Sequence, residues 1–241
     1  MRILKRLFTN NDCYKAGKYI KPKGIMVHST GCENPTLKRY VHYISDDDPI
    51  GKNLYNNHWN RPMPDKKQKC VHAFIGKLQD GSVATAQTLP WDMRGWHCNG
   101  SANNTHISFE MCEDNLTDKT YFRTVWKEAT ELCAYLCTMY KLDPMKDGVI
   151  IGHYEGHKRG VASNHVDPEH WFKKHNKTMD DFRRDVNSIM MVKTDLNEYE
   201  QWAVDNKLFV GDGKGNYNFD KAPTRSELAT VLKRFYDMFI K

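Results

Sequence analysis

Short apolar runs, separated by polar and glycine-rich stretches, recur along the first 190 residues of the chain. Such runs, when turn-forming residues bound them, predict β-strands. One pair of runs is joined by Asp80-Gly81, a dipeptide whose backbone preferences suit the tight turn of a β-hairpin. The predicted strands cover residues 25–28, 71–77, 82–86, 106–112 and 148–153, and the second and third of them form the hairpin.

Apolar residues spaced three and four apart predict helices between these strands. The longest helix begins at Thr117 or Asp118, either of which can cap it, and runs to about Tyr140. The shorter predicted helices are 34–42, which Asn34-Pro35 would begin, and 179–191, which Thr178 would cap. The alternation predicts an α/β domain over residues 1–190, with a central mixed β-sheet flanked by helices.

Three segments of this domain follow neither pattern. Residues 1–23 are predicted as a lead-in with few strands, 45–69 as a long surface connection, and 89–105 as an irregular loop rich in Gly, Asn and Trp. Indole side chains on a polar loop indicate a binding surface.

The pattern changes near residue 192, which predicts a second and smaller unit over residues 194–241. Thr224-Arg225-Ser226-Glu227 has the spacing of a capping box and begins a predicted last helix that ends near Phe239. A short helix over 196–206 and a glycine-rich loop over 208–217 precede it. A helix–loop–helix unit of this size is too small for an independent enzyme.

The composition of the chain indicates in which cellular compartment the protein is made and which classes of partner it binds. No apolar run approaches the roughly 20 residues that cross a bilayer, so membrane insertion is not expected. The basic start is followed by polar residues instead of the apolar region of a signal peptide. We therefore expect the protein to be synthesised in a cytoplasm. The seven cysteines include no Cys-x-x-Cys pair, which favours buried thiols over disulfides. A net charge of +6 without a basic, aromatic-rich stripe gives no indication of nucleic-acid binding.

Histidines stand at the ends of two predicted strands, and the combination indicates a metal site. His28 and His153 each end an apolar run, and a loop after the second returns with His165 and Asp167. Zinc hydrolases use three such protein ligands and leave a fourth position open. Asp167 is the better third ligand because a carboxylate before proline sits in a constrained turn, which leaves His165 beside the metal. The alternative is that each histidine is a hydrogen-bonded residue at the rim of the sheet.

Glu110 interrupts an otherwise apolar strand. A buried carboxylate is costly unless it has a partner or a task, and a general base that deprotonates water would be such a task. The alternative is a polar face on this strand, because Ser108 lies on the same side as Glu110.

Taken together, these residues resemble the type-2 N-acetylmuramoyl-L-alanine amidases, a family of zinc enzymes that includes peptidoglycan recognition proteins and many phage endolysins. The resemblance covers about residues 1–190, and the segment 156–165 is similar to the endolysin branch. Its motifs are Val27-His28-Ser29-Thr30, His72-Ala73-Phe74-Ile75, Gly95-Trp96-His97, Ile107-Ser108-Phe109-Glu110, Ile151-Gly152-His153 and Asp167-Pro168.

The resemblance implies roles for individual residues. It implies one Zn²⁺ on His28, His153 and Asp167, and Glu110 as the group that activates water. His165 stands where many members have a lysine that stabilises the oxyanion. Trp96 and His97 match a loop that flanks the substrate groove in the family. His72 lies near a position where some relatives have a tyrosine, which implies a supporting role at the substrate site for His72. The implied reaction cleaves the amide between N-acetylmuramic acid and L-alanine in peptidoglycan.

The C-terminal unit resembles a single S-layer-homology repeat. The matching pieces are Trp202-Ala203, the loop 211–216 and the box 224–227. Such repeats bind secondary cell-wall polymers, usually as three copies, so docking on the first domain or self-association is the alternative. The Asp/Gly loop lacks the closing glutamate of a calcium loop.

The resemblance therefore predicts an endolysin, made in the cytoplasm of a host bacterium and acting on its cell wall to lyse it. Two alternatives stay open at this point. The same fold can bind muropeptides without cleaving them, or it can recycle soluble muropeptides in a cytosol.

Overall fold

A computed structural model describes residues 1–194, 198–213, 216–219 and 221–240 of the chain. It separates into two compact units, Met1–Val186 and Asn187–Lys241, each held together by its own internal contacts. None of the helices in these described ranges is long and apolar enough to cross a membrane.

A six-stranded sheet forms the centre of the first unit, with the strand order β1-β4-β3-β5-β2-β6. Only the hairpin pair β3–β4 is antiparallel; the other neighbouring pairs are parallel. The predicted mixed sheet is therefore confirmed. The strands are β1 Ile3–Lys5, β2 Gly24–Glu33, β3 Ala73–Lys77, β4 Val83–Gln87, β5 His106–Glu113 and β6 Ile150–Gly152.

The long helix α2, Lys119–Tyr140, packs on strands β3 and β4. Asp118 caps it, because its carboxylate accepts hydrogen bonds from the backbone N–H groups of Thr120 and Tyr121 at 2.9 and 3.0 Å. The hydroxyl of Thr117, the other candidate cap, donates instead to the side chain of Asn115. The helix buries the predicted apolar stripe that includes its central leucines.

The lead-in and the first predicted helix differ from expectation. Residues 1–23 contain the edge strand β1 and a short helix α1, Asp12–Lys15. The helix predicted over 34–42 is wrong: the Asn34 side chain accepts hydrogen bonds from the backbone and the hydroxyl of Thr36, which makes a turn. Only the 3-10 turn Leu37–Arg39 follows.

The connection 45–69 is not confined to the surface as predicted. Ile50 and Trp59 are buried in the main apolar core, where Trp59 packs edge-on against Phe74 with ring centroids 5.0 Å apart. A 3-10 turn, Pro64–Lys66, lies near its end.

One face of the sheet is covered by the loop Trp96–Asn104, called here the 96–104 loop. Side chains alternate between faces along a strand, so Met26 and His28 of β2 point to the same face. Met26 packs there with Cys98 and Ala102 of the loop and with Ile151 of β6. The loop contains the 3-10 turn Ser101–Asn104 and otherwise has the irregular structure that its composition predicts.

The predicted strand 148–153 is shorter than expected, and His153 is the first residue of a helix, α3 His153–Lys158. The Glu155 carboxylate accepts a hydrogen bond from the Gly152 N–H at 3.0 Å and pairs with Arg183 at 2.9 Å, which fixes this strand-to-helix junction. Two helices follow, α4 Glu169–Lys174, which was not predicted, and α5 Met179–Thr194. Thr178 caps α5 through a hydrogen bond from the Asp181 N–H, as predicted.

The second unit contains the helices α6 Glu198–Asp205 and α7 Arg225–Phe239. The predicted capping box is confirmed, since Thr224 and Glu227 bond reciprocally at the start of α7. Residues 195–197, 214–215, 220 and 241, which include parts of the predicted first helix and of the glycine-rich loop, lie outside the described residues.

Candidate functional site

Two histidines and one aspartate meet at one edge of the sheet. His28 Nδ1 lies 3.0 Å from an Asp167 carboxylate oxygen and 3.1 Å from His153 Nδ1. His153 Nδ1 lies 3.4 Å from the other oxygen of Asp167. All three residues are buried, and they form the one group of metal-ligand type found among the described residues.

Each member of this cluster comes from a different element. His28 lies within β2, where it pairs with Glu110 of β5 and directly follows Val27, the last residue of β2 that pairs with β6. His153 begins α3, and Asp167 precedes Pro168, the residue from which α4 starts. The parallel strands β2 and β6 bring the first two residues to the same edge, and the loop after α3 returns the third.

The donor set suits a zinc ion. One ligand atom from each of the three residues can be chosen so that all lie within 4.8 Å of one another. The shortest contacts are 3.0, 3.1 and 3.4 Å, and a different oxygen of Asp167 faces each histidine. The edges of a tetrahedron with ligand bonds of about 2.0–2.1 Å measure roughly 3.3 Å. Two imidazole nitrogens at 3.1 Å cannot both carry a proton directed at the other, so at least one offers a lone pair. Two neutral imidazoles and a carboxylate are ligands that zinc prefers.

Electrostatics keep His28 and Asp167 in the forms that bind a cation. Burial acts to raise the pKa of Asp167, but hydrogen bonds and charge from His153 and His28 outweigh it and lower the pKa. Burial lowers the pKa of His28, against the opposing effect of Asp167. The pair therefore presents an ionised carboxylate beside a neutral imidazole.

Glu110 lies directly opposite His28 in the pairing of β5 with β2. Burial raises the pKa of Glu110 well above its usual value, and the charges of Asp167 and Glu113 raise it further. Its Oε2 atom is buried and has no hydrogen-bond partner among the described residues. An unpartnered carboxylate beside a cluster of metal-ligand type is placed to exchange a proton with a bound molecule.

His165 stands at the solvent side of the cluster. Its ring stacks on that of His153, with centroids 4.5 Å apart and planes within 10°. Its Nδ1 is 3.8 Å from Asp167, and 60 % of its side chain is exposed. The ring is thus beside the cluster and accessible to a substrate.

His97, predicted to flank a substrate groove, contacts a candidate ligand directly. Its Nδ1 lies 3.0 Å from His28 Nε2, and the two rings meet edge-on. Burial lowers the pKa of His97 well below its usual value, with a further contribution from His28. Residue spacing carries no signal for this contact, because the contact depends on how the 96–104 loop folds over β2.

The other two predicted substrate residues lie in different surroundings. His72 is fully buried: its Nδ1 accepts the Ser108 N–H at 3.0 Å, and its Nε2 lies 2.7 Å from the Met93 carbonyl. Burial lowers its pKa to about 4, so this neutral ring has no exposed atom to offer a substrate. Trp96 lines a cleft of about 540 Å³ and carries the Arg94 guanidinium over its ring at 5.0 Å.

An ion pair that sequence reasoning missed supports the Asp167 loop. His170 Nε2 of α4 lies 3.0 Å from the buried carboxylate of Glu113 at the end of β5. The contact with the Glu113 carboxylate raises the pKa of His170. Because α4 follows Asp167-Pro168 directly, this pair ties the loop to the sheet.

Comparison with known proteins identifies the family. The sequence profile of a family described as N-acetylmuramoyl-L-alanine amidase matches residues 18–170, which is more than half of the chain and includes all three residues of the cluster. The chain belongs to this amidase family. The expected assignment to the type-2 amidase family is confirmed.

A curated relative also resembles part of this chain. The bifunctional autolysin of Staphylococcus aureus is 24 % identical over 178 residues, which cover 72 % of this chain. The match spans 12 % of that relative's own length, so most of the relative has no counterpart here.

Solved structures confirm the fold. The Staphylococcus aureus hydrolase AmiA, determined in complex with its ligand, is 21 % identical, covers 80 % of this chain and 85 % of its own, and has a TM-score of 0.60. A point mutant of PlyL is 20 % identical, with a TM-score of 0.53 over 78 % of this chain and 99 % of its own. The central sheet and its flanking helices are therefore the fold shared with these neighbours.

Proposed function

We propose that the chain is a zinc-dependent peptidoglycan amidase that cleaves the bond between the lactyl group of N-acetylmuramic acid and L-alanine of the stem peptide. The observation that carries this proposal is the convergence of His28, His153 and Asp167, at mutual distances of 3.0–3.4 Å, beside the unpartnered carboxylate of Glu110. Membership of the amidase family supports the same reaction.

His28, His153 and Asp167 would hold the metal. A bound zinc ion supplies Lewis acidity, which polarises the scissile carbonyl and lowers the pKa of the attacking water. The three groups contribute one negative charge between them, so part of the charge of the cation stays available to the substrate.

Glu110 acts as the general base and then as the general acid. It accepts a proton from the attacking water and returns a proton to the amine of L-alanine as the amide bond breaks. The raised pKa of Glu110 suits this exchange, because a base with a pKa closer to neutrality also gives its proton back readily.

His165 is proposed to donate a hydrogen bond to the oxyanion of the tetrahedral intermediate. Its exposure and its stacking on His153 support this role, since the ring is held at the rim of the cluster without being closed off from the substrate.

The Asn187–Lys241 unit is proposed to attach the protein to a secondary cell-wall polymer. Exposed aromatic side chains on α6, Tyr199 and Trp202, support it, because polymer-binding surfaces use such rings. Together with the similarity of residues 156–165 to the endolysin branch, this leads us to propose lysis of a bacterial host as the biological role.

A soluble muropeptide tests the chemistry on the full chain. Mass spectrometry should show release of a peptide that begins with L-alanine. His153→Ala should lose both bound zinc and activity, Glu110→Ala should lose activity and keep zinc, and His157→Ala, an exposed histidine on α3, should change neither. If zinc-loaded protein binds the muropeptide and releases no product, the protein is a binding module and the proposal fails.

A further inference from the structure

The two histidines of the cluster each engage the protein through the second ring nitrogen. His28 Nε2 lies 3.0 Å from His97 Nδ1, and His153 Nε2 lies 3.3 Å from the hydroxyl oxygen of Ser163. In both cases it is Nδ1 that faces the other candidate ligands. The same arrangement is thus built twice, with different partners.

If Nδ1 of each histidine binds the metal, the direction of the hydrogen bonds made by Nε2 is determined. A neutral imidazole carries one proton, so an Nδ1 that presents its lone pair to a cation must leave the proton on Nε2. His28 Nε2–H then donates to His97 Nδ1, and His153 Nε2–H donates to Ser163. The Ser163 hydroxyl in turn donates to the carbonyl oxygen of Cys98 at 3.0 Å.

Both lines of hydrogen bonds end on the 96–104 loop. His97 belongs to it, and Ser163 reaches it through the Cys98 carbonyl, which also accepts the Ser163 backbone N–H at 2.8 Å. The nearly fully buried side chain of Asn103 fixes the loop from within, since its oxygen accepts the backbone N–H groups of His97 and Cys98 at 2.8 and 3.2 Å.

The segment that carries Ser163 is tied to the same loop. The Ala102 N–H donates to the Val161 carbonyl at 3.1 Å. The approach is so close that a Cβ atom on Gly100 would come within 2.2 Å of the Val161 oxygen. Gly100 is therefore required by packing at this point, and the loop and the Ser163 segment are in direct contact.

We propose that His97 and Ser163 are positioning residues, which hold His28 and His153 in the tautomer and ring orientation that direct Nδ1 to zinc. The inference rests on the proposed zinc centre and adds to it residues that do not themselves bind the ion. Groups of this kind typically change metal affinity by about 10- to 100-fold when they are removed.

Shape-matched variants of the full chain separate hydrogen bonding from packing. In His97→Asn the amide oxygen can occupy the place of Nδ1 and accept the His28 proton, whereas His97→Leu has a similar shape and accepts nothing. Ser163→Thr keeps the hydroxyl that Ser163→Ala removes. His106→Gln is the control, because His106 bonds to Thr105 and to the Gly148 carbonyl and contacts no member of the cluster.

The readouts are the zinc dissociation constant, from competition with a chromophoric chelator, and the visible spectrum of the cobalt-substituted protein, which reports ligand geometry. We expect His97→Leu and Ser163→Ala to bind zinc about 10- to 100-fold more weakly and to alter the cobalt spectrum. His97→Asn, Ser163→Thr and His106→Gln should stay close to wild type, and circular dichroism verifies that each variant is folded.

Two results would overturn the inference. One is wild-type zinc affinity and an unchanged cobalt spectrum in both His97→Leu and Ser163→Ala. The other is an equal loss in His97→Leu and His97→Asn, since that would assign the effect to packing. If wild-type protein itself binds no zinc, the proposed metal centre fails, and this result is distinct from both.

Discussion

At the scale of single residues, Glu110 combines a proposed catalytic role with an energetic cost. Its Oε2 atom is buried without a partner among the described residues, and burial raises its pKa. Because the folded-state pKa is above the unfolded-state value, the contribution of Glu110 to stability is fully present below the unfolded pKa and is lost as the pH rises through the raised value. At neutral pH the folded protein therefore carries a penalty for this carboxyl group.

Glu110→Gln should remove that penalty together with the activity. We expect amidase activity to fall to background and zinc content to stay the same. The free energy of unfolding of the zinc-free protein at pH 7 should rise, because the raised folded-state pKa of Glu110 penalises the ionised carboxylate. Urea unfolding of both zinc-free proteins at pH 7 and at pH 4 measures this difference in stability. A variant less stable than wild type at pH 7 would contradict this interpretation of Glu110.

His165 should affect turnover without affecting the metal. His165→Ala removes the proposed oxyanion donor, and loss of one such donor typically lowers kcat by about 100- to 1000-fold. His165→Lys restores a donor and should recover much of the rate. Steady-state kinetics with a zinc determination measures both, and an equal loss of activity in the two variants would show that the ring is needed for its stacking on His153.

The candidate ligands could be chosen from the sequence because His28 and His153 follow apolar runs, and parallel strands bring their ends together. The structure does bring them to Asp167, and ligation stays a prediction until a metal is measured. The contacts of His97 and Ser163 could not be predicted in this way. They join residues 69 and 10 positions apart through a loop without periodicity.

At the scale of elements, local capping chemistry predicted helices well where the side chain had no competing partner. Asp118 and Thr178 cap α2 and α5 as the sequence indicates. Asn34 was also predicted to cap a helix, but its side chain accepts a hydrogen bond from the Thr36 N–H and forms a turn instead. Helix α4 was missed because its six residues are too few to show a period.

The choice between Thr117 and Asp118 as the cap of α2 can be tested directly. Asp118→Ala should lower the free energy of unfolding, because it leaves two helix N–H groups without an acceptor. Thr117→Ala should change it little, since that hydroxyl bonds to Asn115. Thermal unfolding of both variants measures the difference, and equal losses would contradict the assignment.

The pair of His170 with Glu113 should give a pH-dependent contribution to stability. The contact with the Glu113 carboxylate raises the folded-state pKa of His170, so the stabilisation is complete below the unfolded-state pKa and is lost as the pH rises through the raised folded-state pKa. His170→Asn should therefore lower the free energy of unfolding more at pH 5.5 than at pH 9. Urea unfolding with His157→Asn as the control measures it, and a cost that grows with pH would contradict the pairing.

At the scale of the whole molecule, the chain divides its structure between two units of unequal size. Unit Met1–Val186 contains the sheet and the cluster, while Asn187–Lys241 contains α6 and α7. The change of pattern near residue 192 predicted a boundary in this region. The sequence left self-association open beside polymer binding for the smaller unit, because exposed aromatic residues occur on both kinds of surface.

Trp202→Ala in the full chain should distinguish wall attachment from catalysis. Trp202 is about half exposed and stacks against Phe239 within its own unit. We expect less protein to sediment with purified cell walls, and no change in the rate on a soluble muropeptide. Sedimentation and kinetics are measured on the same preparation, with Tyr135→Ala, an exposed aromatic of α2, as the control. Unchanged sedimentation would contradict a wall-binding role for Trp202.

The most direct test of the proposed function uses purified Gram-positive peptidoglycan, incubated with the protein with and without a zinc chelator. New amino-terminal alanine and new reducing sugar ends are assayed together. The proposed zinc amidase predicts alanine amines that appear only without chelator and return when zinc is restored. Reducing ends in place of alanine amines, or alanine release that the chelator leaves unchanged, would contradict it.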